Sequence, residues 1–180
     1  MQITIKLLMA ALLTTATLVS TNLKAQTTMS TPRTTGFKIG FGAGAGIVRD
    51  SSPFSYGLGA DVRLQLDLAP AVALTASGGY TRLMAKEGSV FADYDFIPAI
   101  GGVKVYPVKG MYIKGLIGAG FAIQNGSKTS FIFGGGTGYE WNNGLELGIR
   151  YEGYQQDGTS STYQPINGQY AVRLGYNFKL

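Results

Sequence analysis

Apolar and polar side chains alternate along most of the chain, from Phe37 to Leu180. In FKIGFGAGAGI, Phe, Ile and Ala occupy one parity while Lys and Gly occupy the other, and YGLGADVRLQLDL repeats the alternation with Asp, Arg and Gln on its polar side. Successive side chains of a β-strand point to opposite faces, so a period of two predicts strands with one apolar face. Eight runs of this kind follow one another and begin at Phe37, Tyr56, Val72, Tyr94, Met111, Ser130, Leu145 and Gln169.

The fourth run interrupts the alternation. Phe96 and Ile100 have one parity, whereas Val103 and Val105 have the other. A β-bulge adds one residue to a strand and thereby moves the following side chains to the opposite face. We therefore predict a bulge at the Gly101-Gly102 pair.

The connections between the runs are short. Ala69-Pro70, Pro107–Gly110 and Asn142–Gly144 are typical of tight turns, and Asn125-Gly126 is a hairpin signal. Parallel neighbours would need crossovers of about a dozen residues or more, so each run is expected to pair antiparallel with the next. An even number of strands allows such a sheet to close on itself.

The composition of the two faces indicates which one points inward. The polar parity carries mostly Gly, Ala, Ser and Thr with isolated charges, a set that fits the narrow interior of an eight-stranded barrel. The apolar parity has uncharged runs that match the outward band of a barrel in a membrane. We therefore predict an all-β fold, an eight-stranded antiparallel up-and-down transmembrane β-barrel.

Residues 1–25 have the pattern of a secretory signal peptide. One Lys precedes an apolar stretch from Leu7 to Val19, which is shorter than the ~20 residues needed to span a bilayer, and Ala25 precedes the expected cleavage site. An uncleaved N-terminal anchor is the alternative. Residues 26–36 are polar and predict a flexible lead-in, so the barrel domain is expected over residues 37–180.

The composition also narrows the chemistry. The 180 residues include no His and no Cys, which excludes the usual zinc sites, Ser-His or Cys-His catalytic pairs and thiol redox chemistry. We expect no enzyme, no cofactor and no metal site, although a Ser-Lys or acid-only mechanism stays open. The 15 basic and 10 acidic side chains are scattered, so nucleic acid is not expected as a partner.

Charged residues on the inward parity are the main candidates for a functional role. Because charges in a low-dielectric interior must be paired, we expect a lumen network that fills and stiffens the barrel. The alternative is a narrow gated pore for small polar solutes, in which Arg150 or Arg173 pairs with Glu152 or Glu140 as the gate. The predicted network consists of Lys38, Asp61, Arg63, Asp67, Lys114, Glu140, Glu146, Arg150, Glu152, Arg173 and Lys179.

Aromatic residues collect near the predicted strand ends, as in the interfacial girdles of membrane barrels. Girdles mark the levels at which a bilayer meets water, so the band between them is expected to face lipid. One girdle is predicted from Tyr56, Tyr80, Phe121, Tyr151 and Tyr170, and the other from Tyr106, Tyr139, Trp141, Tyr176 and Phe178.

The signal peptide, the eight alternating runs and the amphipathic last run Tyr170–Leu180 together resemble the small outer-membrane β-barrel family of Gram-negative bacteria, whose familiar types are the OmpA transmembrane domain and OmpX. The resemblance implies a location in the cell outer membrane, with lipid and lipopolysaccharide around the barrel. It also implies that the barrel-assembly machinery recognises the last strand, although this strand ends in Leu180 and the family usually ends in Phe. Both termini and the tight turns would lie in the periplasm.

In this orientation the outer loops are Arg49–Ser55, Met84–Asp93, Gln124–Lys128 and Gln155–Gly168. The resemblance implies a monomer with a structural or surface-interaction role, in which Met84–Asp93 and Gln155–Gly168 contact an extracellular partner. Two alternatives belong to other classes of protein. One is an outer-membrane enzyme, which the missing His disfavours, and the other is a secreted soluble barrel of the lipocalin type that binds a hydrophobic ligand.

Overall fold

The computed structural model describes residues 35–49, 52–88, 92–123, 129–155 and 166–180. The predicted signal peptide and the lead-in up to residue 34 lie outside the described residues, as does all or part of each predicted outer loop. The described part of the chain contains no helix that is long and apolar enough to cross a membrane. Its strands are β1 (Gly36–Val48), β2 (Phe54–Ala69), β3 (Val72–Ala85), β4 (Tyr94–Val105), β5 (Met111–Ala122), β6 (Ser130–Glu140), β7 (Leu145–Gln155) and β8 (Ile166–Lys179).

The strands close into a barrel in which each strand pairs antiparallel with the next and β1 pairs with β8. Closure removes the exposed sheet edges, so the backbone ladders are completed within the barrel. The predicted tight turns connect β2 to β3, β4 to β5 and β6 to β7, at what we call the lower end, while the Asn125-Gly126 signal lies outside the described residues. The predicted eight-stranded antiparallel up-and-down fold is confirmed.

The barrel is apolar outside and polar inside. On β8, Val172 and Leu174 point outward and are 51% and 54% exposed, whereas Arg173 between them points inward and is 3% exposed. The same arrangement recurs on the other strands, where large apolar residues such as Ile117 are exposed on the outside. The outside surface therefore resembles the interior of a soluble protein, which monomers rarely present to water.

The pairing of β4 differs from the prediction. It runs without a shift through Gly101-Gly102 to both neighbouring strands, so the predicted β-bulge at this pair is wrong. The pattern was misleading because Phe96 and Ile100 point inward, into an apolar cluster, and not outward like most large apolar residues. Lys104 shares their parity and is completely buried in the lumen. Register shifts occur instead between β2 and β3, near both ends of β2.

Glycine is required at several wall and turn positions. A Cβ atom at the inward Gly134 would lie 2.0 Å from the carbonyl oxygen of Tyr151 on β7. No side chain fits at that distance, so glycine there permits the sharp local curvature of a narrow barrel. The lower turns need glycine for another reason, because Gly110 and Gly144 have φ values of 80° and 93°, a region that other residues rarely adopt.

Candidate functional site: the charged lumen

Glu146 is the centre of a polar network in the lower half of the lumen. Its carboxylate accepts hydrogen bonds from Arg63 (2.7 Å), Lys104 (2.8 Å), Tyr112 (2.8 Å) and Asn177 (3.0 Å). These donors belong to β2, β4, β5 and β8, so one carboxylate on β7 links five strands across the lumen. The side chain of Glu146 is 1% exposed, and hydrogen bonds to a charge are stronger in such a dry environment than at a surface.

Lys104 connects this centre to a second group of charges. Its ammonium group donates to Gln65 Oε1 at 3.0 Å and lies 3.5 Å from Glu140. Glu140 also pairs with Lys38 at 2.6 Å, and Lys38 lies 3.0 Å from Asp67. The lower lumen therefore holds an array in which each of these charges has an oppositely charged neighbour.

Two further ion pairs lie higher in the lumen. Arg173 binds both carboxylate oxygens of Asp61, at 2.8 and 2.7 Å, in the bidentate geometry that a guanidinium favours. Arg150 Nε lies 2.9 Å from Glu152, which also accepts a hydrogen bond from the Tyr154 hydroxyl at 2.8 Å. Of the predicted gate pairs, the structure brings together Arg150 with Glu152, whereas Arg173 binds Asp61 and neither of the two predicted acids.

Lys114 differs from the other cations of the lumen. It points inward from β5, is 7% exposed, and lies over Gly102 of β4 toward Thr75 of β3. Among the described residues no carboxylate lies within 4.0 Å of its ammonium group, whereas each of the other five inward Lys and Arg residues has one. Lys114 is therefore a buried cation without an ion pair in the described part of the chain.

Apolar side chains close the opposite, upper end of the lumen. The ring of Tyr94 stacks on that of Phe96 at a centroid distance of 5.3 Å, and the Tyr154 ring meets Phe96 edge-on at 5.5 Å. Sequence periodicity missed this cluster, because it assigned large apolar residues to the outside. The cluster consists of Val48, Phe54, Leu83, Tyr94, Phe96, Leu116, Ile132 and Tyr154.

All eleven residues of the predicted network lie on the inward parity, and ten of them lie within the lumen, whereas Lys179 does not. It lies opposite Lys38 in the β1–β8 pairing, at the lower rim where the wall ends, and it is exposed. The prediction also omitted Lys104, which is completely buried in the lumen. Its position between the outward Val103 and Val105 was the signal that could have found it, with or without a bulge.

Nine of the ten predicted girdle aromatics point outward, and Tyr106 is the exception. It is 7% exposed and its hydroxyl donates to Glu140 at 2.7 Å, so it belongs to the lumen network and its assignment to a girdle is wrong. The cause is its parity, which continues the inward side of β4 into the turn. The outward residues are Tyr56, Tyr80, Phe121, Tyr139, Trp141, Tyr151, Tyr170, Tyr176 and Phe178.

A small polar cluster fixes the β3–β4 connection to the outside of the wall. Asp93 accepts hydrogen bonds from the backbone N–H of Ala85 at 2.9 Å and from Arg82 at 2.8 Å, and the Tyr80 hydroxyl donates to Asp95 at 2.9 Å. These hydrogen bonds hold the pKa of Asp93 below its usual range, and the bond from the Ala85 backbone has a larger effect than the bond from Arg82. Within the described ranges, no group of three acidic side chains is placed to hold a metal ion.

Comparisons with known proteins identify the fold and leave the family open. No protein-family profile and no curated protein sequence matches the chain. Among solved structures, the attachment invasion locus protein Ail of Yersinia pestis superposes with a TM-score of 0.56 at 18% identity, over 81% of this chain and 100% of Ail. The N-terminal β-barrel domain of OprF from Pseudomonas aeruginosa gives 0.54 at 14% identity, over 81% and 100%.

A de novo designed transmembrane β-barrel gives a TM-score of 0.51 at 15% identity, over 82% of this chain and 99% of the design. Identities this low establish the fold only. The chain superposes on natural barrels and on a designed barrel alike, although the designed sequence does not descend from the natural ones. The resemblance predicted from the sequence is thus confirmed at the level of architecture: the chain has the fold of the small eight-stranded outer-membrane β-barrels.

Proposed function

We propose that the protein is an integral outer-membrane β-barrel with a structural or surface-interaction role. The observation that carries the proposal is the inverted distribution of side chains, with large apolar residues exposed outside and charged residues buried inside. Phe41, Ile117 and Val172, on three different strands, are each more than half exposed, while Lys104 and Glu146 are at most 1% exposed. In a bilayer the apolar wall is covered by lipid, so this surface is not exposed to water.

A soluble barrel of the lipocalin type fits these observations less well. A hydrophobic ligand would need an apolar cavity inside the barrel, whereas the lower half of this lumen is filled by charged groups that bond to one another. The upper half is apolar but already occupied by packed rings such as Phe54 and Phe96, both 1% exposed. As far as the described residues line it, the interior therefore offers no space of the required chemistry.

Cell fractionation tests the membrane location. We expect the protein in the outer-membrane fraction, soluble only in detergent, with the folded form migrating differently from the boiled form on a gel. A soluble periplasmic monomer would overturn the proposal. Trypsin treatment of whole cells then tests orientation, since cleavage after Lys86 in the upper connection 84–93 and protection of Lys109 in the lower β4–β5 turn are expected if the upper end faces outward.

We further propose that the lumen is a plug and conducts no solute. The apolar cluster covers the upper end and the Glu146 network fills the lower end, and their central members Ile132, Phe96 and Glu146 are at most 1% exposed. In planar bilayers the wild-type protein should stay silent. Stable openings that disappear on charge reversal at Arg150 or Arg173 would favour the gated pore instead, since Arg150 with Glu152 is the one predicted gate pair that is in contact.

With a closed lumen, the role falls to the loops and the outer wall. We propose that the upper connections 84–93 and 155–168 contact an extracellular partner, that lipopolysaccharide surrounds the upper rim, and that the barrel-assembly machinery reads the outward Tyr176 and Phe178 of β8. Replacing each of the two loops by a short Asn-Gly turn should leave the folded gel mobility intact and abolish surface contacts of the cell that depend on the protein. Shortening 124–128 instead is the matched control.

A further inference from the structure

A hollow of about 720 Å³ lies on the outer face of the wall, below the upper rim. Large side chains that line it, such as Ile47 and Tyr170, point outward and are 67% and 60% exposed. The lumen side of the same wall is filled, because a Cβ atom on Gly57 would lie 2.6 Å from Gln169 and 2.8 Å from Leu83. The hollow therefore opens away from the barrel. Its lining comes from β6, β7, β8, β1 and β2 and includes Ala45, Ile47, Tyr56, Gly135, Thr137 and Tyr170.

Small residues leave the space that forms the hollow. Six of its fourteen lining residues are Gly or Ala. Gly135 pairs with Tyr151 and Ala45 pairs with Val172, so small outward positions lie beside large ones. Arg150 is the one charged residue of the lining, and its guanidinium turns into the lumen, where it forms the ion pair described above. The hollow therefore presents an apolar surface with large side chains at its edges.

The tilt of the strands makes the hollow deep as well as wide. Following the strand pairing around the barrel from Ala122 on β5 leads back to this strand at Tyr112, ten residues closer to the lower end. Such a stagger tilts the strands by about 40°, so paired positions lie about 3 Å lower on each strand from β2 through β1 and β8 to β6. Tyr56 and Thr137, at the two ends of the hollow, are therefore about 17 Å apart along the barrel axis. This depth matches one leaflet of a bilayer with a hydrocarbon core of about 30 Å.

Arg49 lies just above the upper end of the hollow. It follows Ile47 on the outward parity and is exposed. Its backbone N–H donates to the carbonyl of Gly168 at 2.9 Å, so the pairing that places Ile47 opposite Tyr170 extends to this residue. Two residues of tilted strand raise its Cα atom about 5 Å above that of Ile47, to the level at which lipid headgroups meet an aromatic girdle. A guanidinium at this level favours a phosphate group.

We propose that the hollow binds one anionic lipid, whose acyl chain fills it and whose phosphate contacts Arg49. The proposal rests on the membrane location proposed above and adds a fixed site and a preferred headgroup charge. A flexible chain can follow a hollow that crosses five strands and descends through one leaflet. A second copy of the barrel fits less well, because the outer wall of a closed barrel is convex and has no protruding part among the described residues that would fill such a space.

Native mass spectrometry of the protein released from detergent micelles tests the headgroup preference. The added lipids are phosphatidylglycerol and phosphatidylcholine with identical acyl chains, so that they differ in net headgroup charge and not in chain length. We expect the wild-type barrel to retain one phosphatidylglycerol molecule and to bind it about fivefold more tightly than phosphatidylcholine, the effect of one cation at a membrane surface. Arg49→Gln should remove this preference. Lys109→Gln, which removes a charge from the exposed lower β4–β5 turn, should keep it.

Filling the hollow distinguishes a fixed site from general attraction to lipid. Ala45→Phe places a ring in the hollow and should abolish the one-to-one complex with phosphatidylglycerol. Ala99→Phe makes the same change at an outward position of β4, at about the same depth and outside the hollow, and should leave the complex intact. The folded gel mobility of each variant shows whether the barrel has formed.

Two results would overturn the proposal. One is equal retention of the two lipids by the wild-type protein, and the other is an intact one-to-one complex in folded Ala45→Phe. The comparison of the two lipids uses the unsubstituted protein, so it decides the case even if Ala45→Phe does not fold. A protein that fractionates with the outer membrane and fails either test lacks only the lipid site, whereas a soluble periplasmic protein would overturn the membrane location itself.

Discussion

Replacing Glu146 by Gln perturbs the lumen at its most connected point. The substitution keeps the shape of the side chain and removes the charge that Arg63 and Lys104 share, and both cations are at most 2% exposed. The amide still accepts one or two hydrogen bonds, including those from neutral donors such as Tyr112. It no longer compensates a buried positive charge, so the expected effect is electrostatic and not a loss of packing.

The expected loss of stability depends on which ion pairs each cation keeps after the substitution. Lys104 still has Glu140 at 3.5 Å, and Arg173, which lies 3.6 Å from Glu146, still has its bidentate pair. Arg63 loses its one ion pair among the described residues. Leaving a buried charge without its partner costs about 3–5 kcal/mol. We therefore expect Glu146→Gln to lower the free energy of unfolding by about 4 kcal/mol, the cost of one broken pair and not of three.

Urea unfolding in micelles, read by Trp141 fluorescence, measures this loss. Glu87→Gln is the matched control, because it makes the same chemical change at an exposed site and should alter the free energy by less than about 0.5 kcal/mol. Added salt should change the difference little, since buried pairs are poorly screened. A Glu146→Gln protein within about 0.5 kcal/mol of wild type would refute the view that the network stabilises the barrel.

Two further predictions concern the wall and its upper rim. Gly134→Ala places a Cβ atom 2.0 Å from a β7 carbonyl oxygen and should cost at least the ~1–3 kcal/mol typical of overpacking, or abolish the folded gel mobility, whereas Gly115→Ala, with no atom within 4 Å, should do neither. For Asp93, the hydrogen bonds from Ala85 and Arg82 depress the pKa, so they are complete at neutral pH and are lost as the pH falls through the depressed value. Amide exchange at Ala85, corrected for its intrinsic pH dependence, should therefore accelerate in strong acid, and Asp93→Ala should exchange fast at every pH; equal protection in both proteins would contradict this account.

The outward face of the barrel could be predicted from the sequence because one environment acts on the whole of it. Residues such as Ile39, Leu64 and Ile113 are all apolar because they all face outward, so their period of two predicts the strands and the closure of the sheet. The inward face follows no such rule. Phe96 and Lys104 share a parity on one strand, because the interior selects for volume and for mutual bonding and not for polarity alone.

The pairing inside the lumen could not be predicted from the sequence for a geometric reason. Arg173 and Asp61 are 112 positions apart, and Arg63 and Glu146 are 83 apart. Which inward groups meet depends on the stagger of the strands around the barrel, and a shift by two residues in any pairing would exchange the partners without changing the alternation. Parity therefore identified most of the charged groups, while the closed structure was needed to match acids with bases.

The pairing of acidic with basic side chains also explains why a filled polar lumen suits a transmembrane barrel. If the outer wall faces lipid, burying it against neighbours gains little, because lipid tails are as apolar as the side chains that contact them. Stability must then come from the closed backbone ladders and from contacts across the lumen. Glu146 ties five strands together, so each cation it holds contributes to closure of the whole barrel.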